Sequence, residues 1–364
     1  MRSLAVVLAP LATAACSQIL GLHDLPPDAR RSGDAAIDTS FDASTFCYGG
    51  GTFVVCLPAQ PAGTLVLNTQ SYDTTTCPGG TAVLEAGGVL CVLAGQSVII
   101  DGTVRAVGAR PLVIVSLSTL ALFNGANVDV SSGVTTGAGA DFGACPITSL
   151  NGTSGTLGGG GAGGSFGTAG GRGGDATGSP GGSAAPATGT PTELRAGCGG
   201  GAGGTGQLMT NGAGGNGGGA VYLLAEGALQ LDGTIDASGA GGTPASISNM
   251  PGGAGGGGSG GMIALYGASI SLAAGAQIFA NGGGGAGFTT TNAIGAAGGV
   301  STSATNTGPG GSPGGGPGAI ASQNGVNGSN GSSGAGGAGG GGGVGVIHVV
   351  SGQPLNGSVS PPPS

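Results

Sequence analysis

The chain has 364 residues, of which 92 are glycine, 6% charged and 3% aromatic, with no Trp and a net charge of −8. Glycine at about a quarter of the chain, against an ordinary usage of roughly 7%, excludes an average globular mixture. All seven basic residues are Arg and none is Lys. That excludes a phosphate-binding lysine loop and a lysine Schiff base, and it leaves no basic cluster to neutralise a nucleic-acid backbone.

The N-terminus carries an apolar run from Leu4 to Ala12 and then Thr13-Ala14-Ala15-Cys16. The run is too short to span a bilayer and has the length of a secretory signal. Its end resembles the lipobox of bacterial lipoproteins, with Thr13 where that motif carries Leu. The resemblance implies a signal peptide over 1–15, lipidation of Cys16 and, with Ser17 next, the outer membrane. Ordinary cleavage after Ala14 and release of a soluble protein is the alternative. Residues 16–45, with Pro26, Pro27 and Asp at 24, 28, 34, 38 and 42, have no apolar periodicity and read as a flexible tether.

Removing Cys16 leaves six cysteines, at 47, 56, 77, 91, 145 and 198. An even set in an exported chain predicts disulfides, and chain order suggests 47 with 56, 77 with 91 and 145 with 198 among the possible pairings. A thiolate metal site is not expected, because no Cys-Xaa-Xaa-Cys occurs and His23 and His348 lie far from any Cys pair. Residues 46–95 therefore read as a disulfide-bearing β-rich region.

From 96 to 359 one pattern recurs between the glycine blocks: Val98 to Ala106, Leu120 to Val130, Leu229 to Ala237, Ile270 to Ala280 and Leu355 to Val359. Each reads as strand, bend, strand, with the bend at Gly102, Gly125, Gly233, Gly275 and Gly357, where tight-turn chemistry predicts positive φ. Apolar runs precede four of them, at Leu112 to Leu117, Val221 to Leu224, Met262 to Leu265 and Val344 to Val350. Val98, Ile100, Val104 and Ala106 share one face, as do Leu229, Leu231, Ile235 and Ala237, which is the period of half-buried strands. Stacked coils of about 23 residues, a parallel β-helix or β-solenoid with glycine-rich insertions, would bury that face continuously. Antiparallel ribbons are the alternative, favoured locally by the Asp-Gly bends. The glycine blocks read either as polyglycine, polyproline-II-like helices lying against the coils or as disordered loops. Residues 360–364 form a Pro-rich tail.

Over roughly 88–352, with the Cys16 start and the Cys47 to Cys91 region, the chain resembles glycine-rich bacterial lipoproteins of the PE-PGRS-like type, without a PE domain. The resemblance implies a surface-exposed structural or adhesive protein, with polysaccharide or other cell-surface molecules as partners, membrane attachment through lipid, no cofactor and no catalytic residues. A carbohydrate-active enzyme of the β-helix type is the rival. Its nearest candidates are Asp129 and Asp236, which coil register brings toward Arg105, read here as an exposed ion pair and a solvated Asp. Asp175 stands in a single nonapeptide like those of calcium β-rolls, with Thr177 where an aliphatic anchor is needed, and reads as a solvated loop residue. His348 reads as a half-buried strand residue.

Overall fold

A computed structural model describes residues 46–51, 53–85, 88–139, 145, 149–189, 191–207, 211–246, 251–351 and 354–364. The signal segment, Cys16, the tether and His23 lie outside the described residues. Among those described there is no helix, and none therefore long and apolar enough to cross a membrane.

The chain is all-β, with parallel and mixed sheets. A hairpin of β1 (Phe46–Gly50) and β2 (Phe53–Leu57) comes first. Then follow β3 (Thr64–Leu67), β4 (Gln70–Asp73), β5 (Thr81–Glu85), β6 (Gly88–Gly95), β7 (Ser97–Ile100), β8 (Thr103–Val107), β9 (Leu112–Ser116), β10 (Leu120–Leu122) and β11 (Asn127–Asp129). After a long glycine-rich stretch come β12 (Ala220–Leu231), β13 (Thr234–Asp236), β14 (Met262–Leu272), β15 (Gln277–Phe279), β16 (Val346–Val349) and β17 (Ser358–Ser360).

Each bend carries the chain from one sheet into another. In the nine-stranded sheet β3, β7, β10 and the second halves of β12 and β14 pair in parallel, placing Leu65, Val98, Leu120, Leu229 and Ile270 in one column. In the six-stranded sheet β4, β8, β11, β13, β15 and β17 pair in parallel, with Val104, Val128, Ile235, Ile278 and Val359 in register. The apolar runs before the bends make a third set of columns: Cys91, Leu112, Val221, Ile263 and Ile347 share one position. All three sets point their aliphatics into one core, where Leu120, Val128, Leu229 and Ile235 are fully buried. Each such side chain is worth about 1.5–3 kcal/mol. Pairing between repeats is parallel, so the ribbon alternative does not hold: a ribbon would pair its own two strands across the bend.

The ladders begin before the first repeat legible in the sequence. β3 and β4 form the same strand-bend-strand with Asn68-Thr69 at the bend, and β6 supplies the apolar run for the repeat at Val98. The outer face of the nine-stranded sheet forms a second core under the β1–β2 hairpin, where the Phe53 ring meets Tyr222 edge-on at 6.0 Å and the Tyr222 hydroxyl donates to the Phe53 carbonyl at 3.1 Å.

The bend glycines differ in what they require. Only Gly102 and Gly125 adopt positive φ, 150° and 82°, which corrects the expectation for the other three. At Gly233 the constraint is close approach, since a Cβ would overlap the carbonyl oxygen of Ala126. At Gly357 it would press on the flexible Leu272 side chain, and at Gly275 it would meet open space.

The long glycine segments are tied together by backbone hydrogen bonds of three-residue period. In 253–261 the N–H groups of Gly253, Gly256 and Ser259 donate to the carbonyls of Gly204, Gly201 and Cys198; those of Ala254, Gly257 and Gly260 donate to Gly337, Gly340 and Gly343; those of Gly255, Gly258 and Gly261 donate to Thr243, Ala240 and Ala237, all at 2.7–3.0 Å. The carbonyls of the same segment accept from Gly158, Gly161 and Gly164, from Gly212, Gly215 and Gly218, and from Gly283 and Ala286. Donors that rotate through three neighbours in three residues are the signature of an extended chain with three residues per turn. Six segments thus surround this one, at a separation only Gly allows: a Cβ on Gly256 would overlap the Ala162 carbonyl oxygen. At the rim, side chains substitute for missing backbone acceptors with the same period. Asn327 and Asn330 Oδ1 accept from the N–H of Arg172 and Asp175, each at 2.8 Å.

Gly256→Ala should therefore lower the thermal midpoint sharply, whereas Gly275→Ala should leave it unchanged or raise it through the lost freedom of the unfolded chain, about 0.4–1 kcal/mol. Thermal unfolding followed by circular dichroism compares the two.

Candidate functional site

The polar residues with perturbed chemistry gather on the outer face of the six-stranded sheet. Arg105, Asp129 and Asp236 occupy the same position on β8, β11 and β13, which are adjacent. Parallel strands lie about 4.8 Å apart, so register alone forces these side chains to be neighbours. Arg105 donates to Asp129 Oδ1 at 2.7 Å and to Ser131 Oγ and Thr135 Oγ1, each at 3.3 Å. Arg105 and Asp129 are each about a quarter exposed at the side chain, 23%.

Each carboxylate also ends its strand. Ser131 N–H donates to Asp129 at 2.9 Å, Ser238 N–H to Asp236 at 2.8 Å and Thr75 N–H to Asp73 at 2.9 Å, so one Asp-Xaa-Ser/Thr turn recurs at the ends of β11, β13 and β4. Environment then separates them. Asp73 is held below the usual carboxylate range by the Thr75 N–H and hydroxyl. Asp236 is pushed up to about 7, chiefly by burial, with Asp129 beside it adding to the rise and the Ser238 bonds and Arg105 opposing it. The expectation of a solvated Asp236 is thus corrected. The carboxylate sits half-buried because it lies in the middle of the ladder, with strands on both sides.

The other predicted residues are placed apart from this row. Asp175 pairs with Arg172 at 2.5 Å and accepts from the Gly181 N–H at 2.8 Å, which holds its carboxyl low; it fastens a turn, where a freely solvated residue was expected. His348 is half-buried on β16, 5.4 Å from the Phe53 ring. The cysteines are bonded 47 to 56, 77 to 91 and 145 to 198. Among the described residues no group of three or more His, Cys, Asp or Glu is placed to hold a metal ion. Sequence reasoning missed Ser131, Thr135 and Ser238. The signal for Ser131 and Ser238 was the recurrence of Ser two residues after Asp. It also missed Arg195, which lies against the third disulfide.

No protein-family model matches the chain, and no similar protein is found among the curated proteins or the solved structures.

The raised Asp236 carboxyl has a definite sign in the pH dependence of stability. The folded state holds its proton up to about 7 while the unfolded chain releases it near pH 4, so this group's contribution is greatest below about pH 4 and declines up to about pH 7. Asp236→Asn should flatten that decline and be more stable than the wild type at pH 8 by on the order of 2 kcal/mol. Urea unfolding from pH 4 to 8 measures it.

Proposed function

We propose that the chain is an exported, non-catalytic structural or adhesive protein of the cell surface, anchored in the outer membrane through a lipid on Cys16. Its body is a β-solenoid whose coils carry bundled three-residue-per-turn glycine helices as insertions. The registered columns through Leu120 and Val128 support the coil reading, as does the 23-residue spacing of Gly102 and Gly125. The tether over 16–45 would hold this body off the membrane.

The observation that carries the reading is the closure of the backbone network. Glycine segments that bond to neighbours on every side make a body that is stiff without a large apolar core, and present outward mostly hydroxyls and amides. On the outer segment 324–333, Gly325 is buried and Gly328 and Gly331 are partly buried, while Asn324, Asn327, Ser329, Asn330 and Ser332 are exposed. Such a face suits hydrogen bonding to polysaccharide or to neighbouring surface molecules.

The alternative, a β-helix carbohydrate-active enzyme, draws support from one observation: Asp129 and Asp236 are adjacent carboxylates whose environments differ, one paired with Arg105 and one pushed up to about 7. Reducing ends or unsaturated products released from acidic or neutral polysaccharides, and lost in Asp236→Asn, would establish the enzyme and contradict the structural reading. Palmitate labelling in cells tests the anchor. Label should appear on the wild type and vanish from Cys16→Ser, and label that survives the substitution would contradict lipidation at that residue.

A further inference from the structure

The chain has no Lys and only seven Arg, so a cation placed against sulfur is conspicuous. The Arg195 guanidinium lies 3.5 Å from Cys145 Sγ and 3.6 Å from Cys198 Sγ, donating toward both sulfurs of one disulfide. It is held there from the other side by the Phe166 ring, whose centroid is 5.1 Å from the guanidinium carbon, and Phe166 is fully buried. The two sulfurs are unequally accessible: Cys198 is 1% exposed and Cys145 is partly open. The other two disulfides have no such neighbour. The remaining described arginines are Arg105, which bonds to Asp129, Arg172, which bonds to Asp175, and Arg110. The hairpin disulfide instead sits near the Glu226 carboxylate, which accepts from the Gly49 N–H at 2.9 Å.

We propose that Cys145–Cys198 is a thiol-exchange site, with a small-molecule thiol or a protein dithiol as its co-reactant. The incoming thiolate attacks the accessible Cys145 Sγ and forms a mixed disulfide there. The Cys145–Cys198 bond breaks, and its electron pair leaves on Cys198 as a thiolate beside Arg195. A second thiolate then attacks the incoming sulfur, releasing the co-reactant as its own disulfide and leaving Cys145 reduced. A cation beside the leaving sulfur stabilises the thiolate, which speeds departure and favours the reduced form over that of a disulfide without one. Burial of Cys198 works against a charge there, and the guanidinium opposes that cost. Exchange at this bond frees the 53-residue span between the two cysteines while leaving the hairpin and the Cys77–Cys91 loop closed.

The test uses the full oxidised chain, equilibrated at neutral pH in a series of reduced and oxidised glutathione buffers, quenched, alkylated and mapped by peptide mass spectrometry. Cys145–Cys198 should open in buffers about tenfold more oxidising than the other two pairs require, and the glutathione adduct should fall on Cys145. Arg195→Gln should remove that difference and Arg195→Lys should keep part of it. Opening of Cys47–Cys56 or Cys77–Cys91 first, an adduct on Cys198, or an unchanged order in a folded Arg195→Gln would each overturn the proposal. Should Arg195→Gln fail to fold, the order and the adduct position in the wild type decide.

Discussion

Every buried backbone N–H and C=O must find a partner, and in this chain that requirement shapes the body more than side-chain packing does. Glycine supplies no apolar surface to offset the roughly 1–2 kcal/mol of entropy each fixed residue costs. What it supplies is proximity. Segments such as 253–261 lie close enough to six neighbours for backbone groups to be used in every direction, and a Cβ at most of these positions would meet a carbonyl oxygen. Glycine is therefore both the weakness of these segments and the reason they can pack.

The apolar strands set the frame within which that packing happens. Columns of aliphatics through Val98, Leu120 and Leu229 align the repeats, and the glycine segments enter and leave the frame at its strand ends: Gly219 accepts from Met262, and Gly261 donates to Ala237. Alignment of the strands fixes where each glycine segment starts, and three-residue periodicity then carries the register along it.

The strand frame was legible because alternation leaves a trace in the sequence. Val98, Ile100, Val104 and Ala106 announce their face, and the repeat follows from matching them to Leu229, Leu231, Ile235 and Ala237. The repeat at β3–β4 escaped because Asn68-Thr69 occupies its bend in place of a glycine. The partners of the glycine segments were not legible at all, since a residue without a side chain records nothing about its neighbour. At the polar row, coil register foretold the meeting of Arg105 with Asp129, but the state of Asp236 depends on how deeply the ladder buries it, which no local pattern encodes. Likewise Arg195 becomes interesting only when folding sets it against Cys145, fifty residues away.

Native-state hydrogen exchange tests the central claim, that the glycine segments are ordered by their own backbone bonds. The amides of 253–261 should exchange as slowly as those of Val221 to Leu224 in the central strand β12. Exchange of 253–261 at the rate of an unstructured chain, with β12 still protected, would contradict the account.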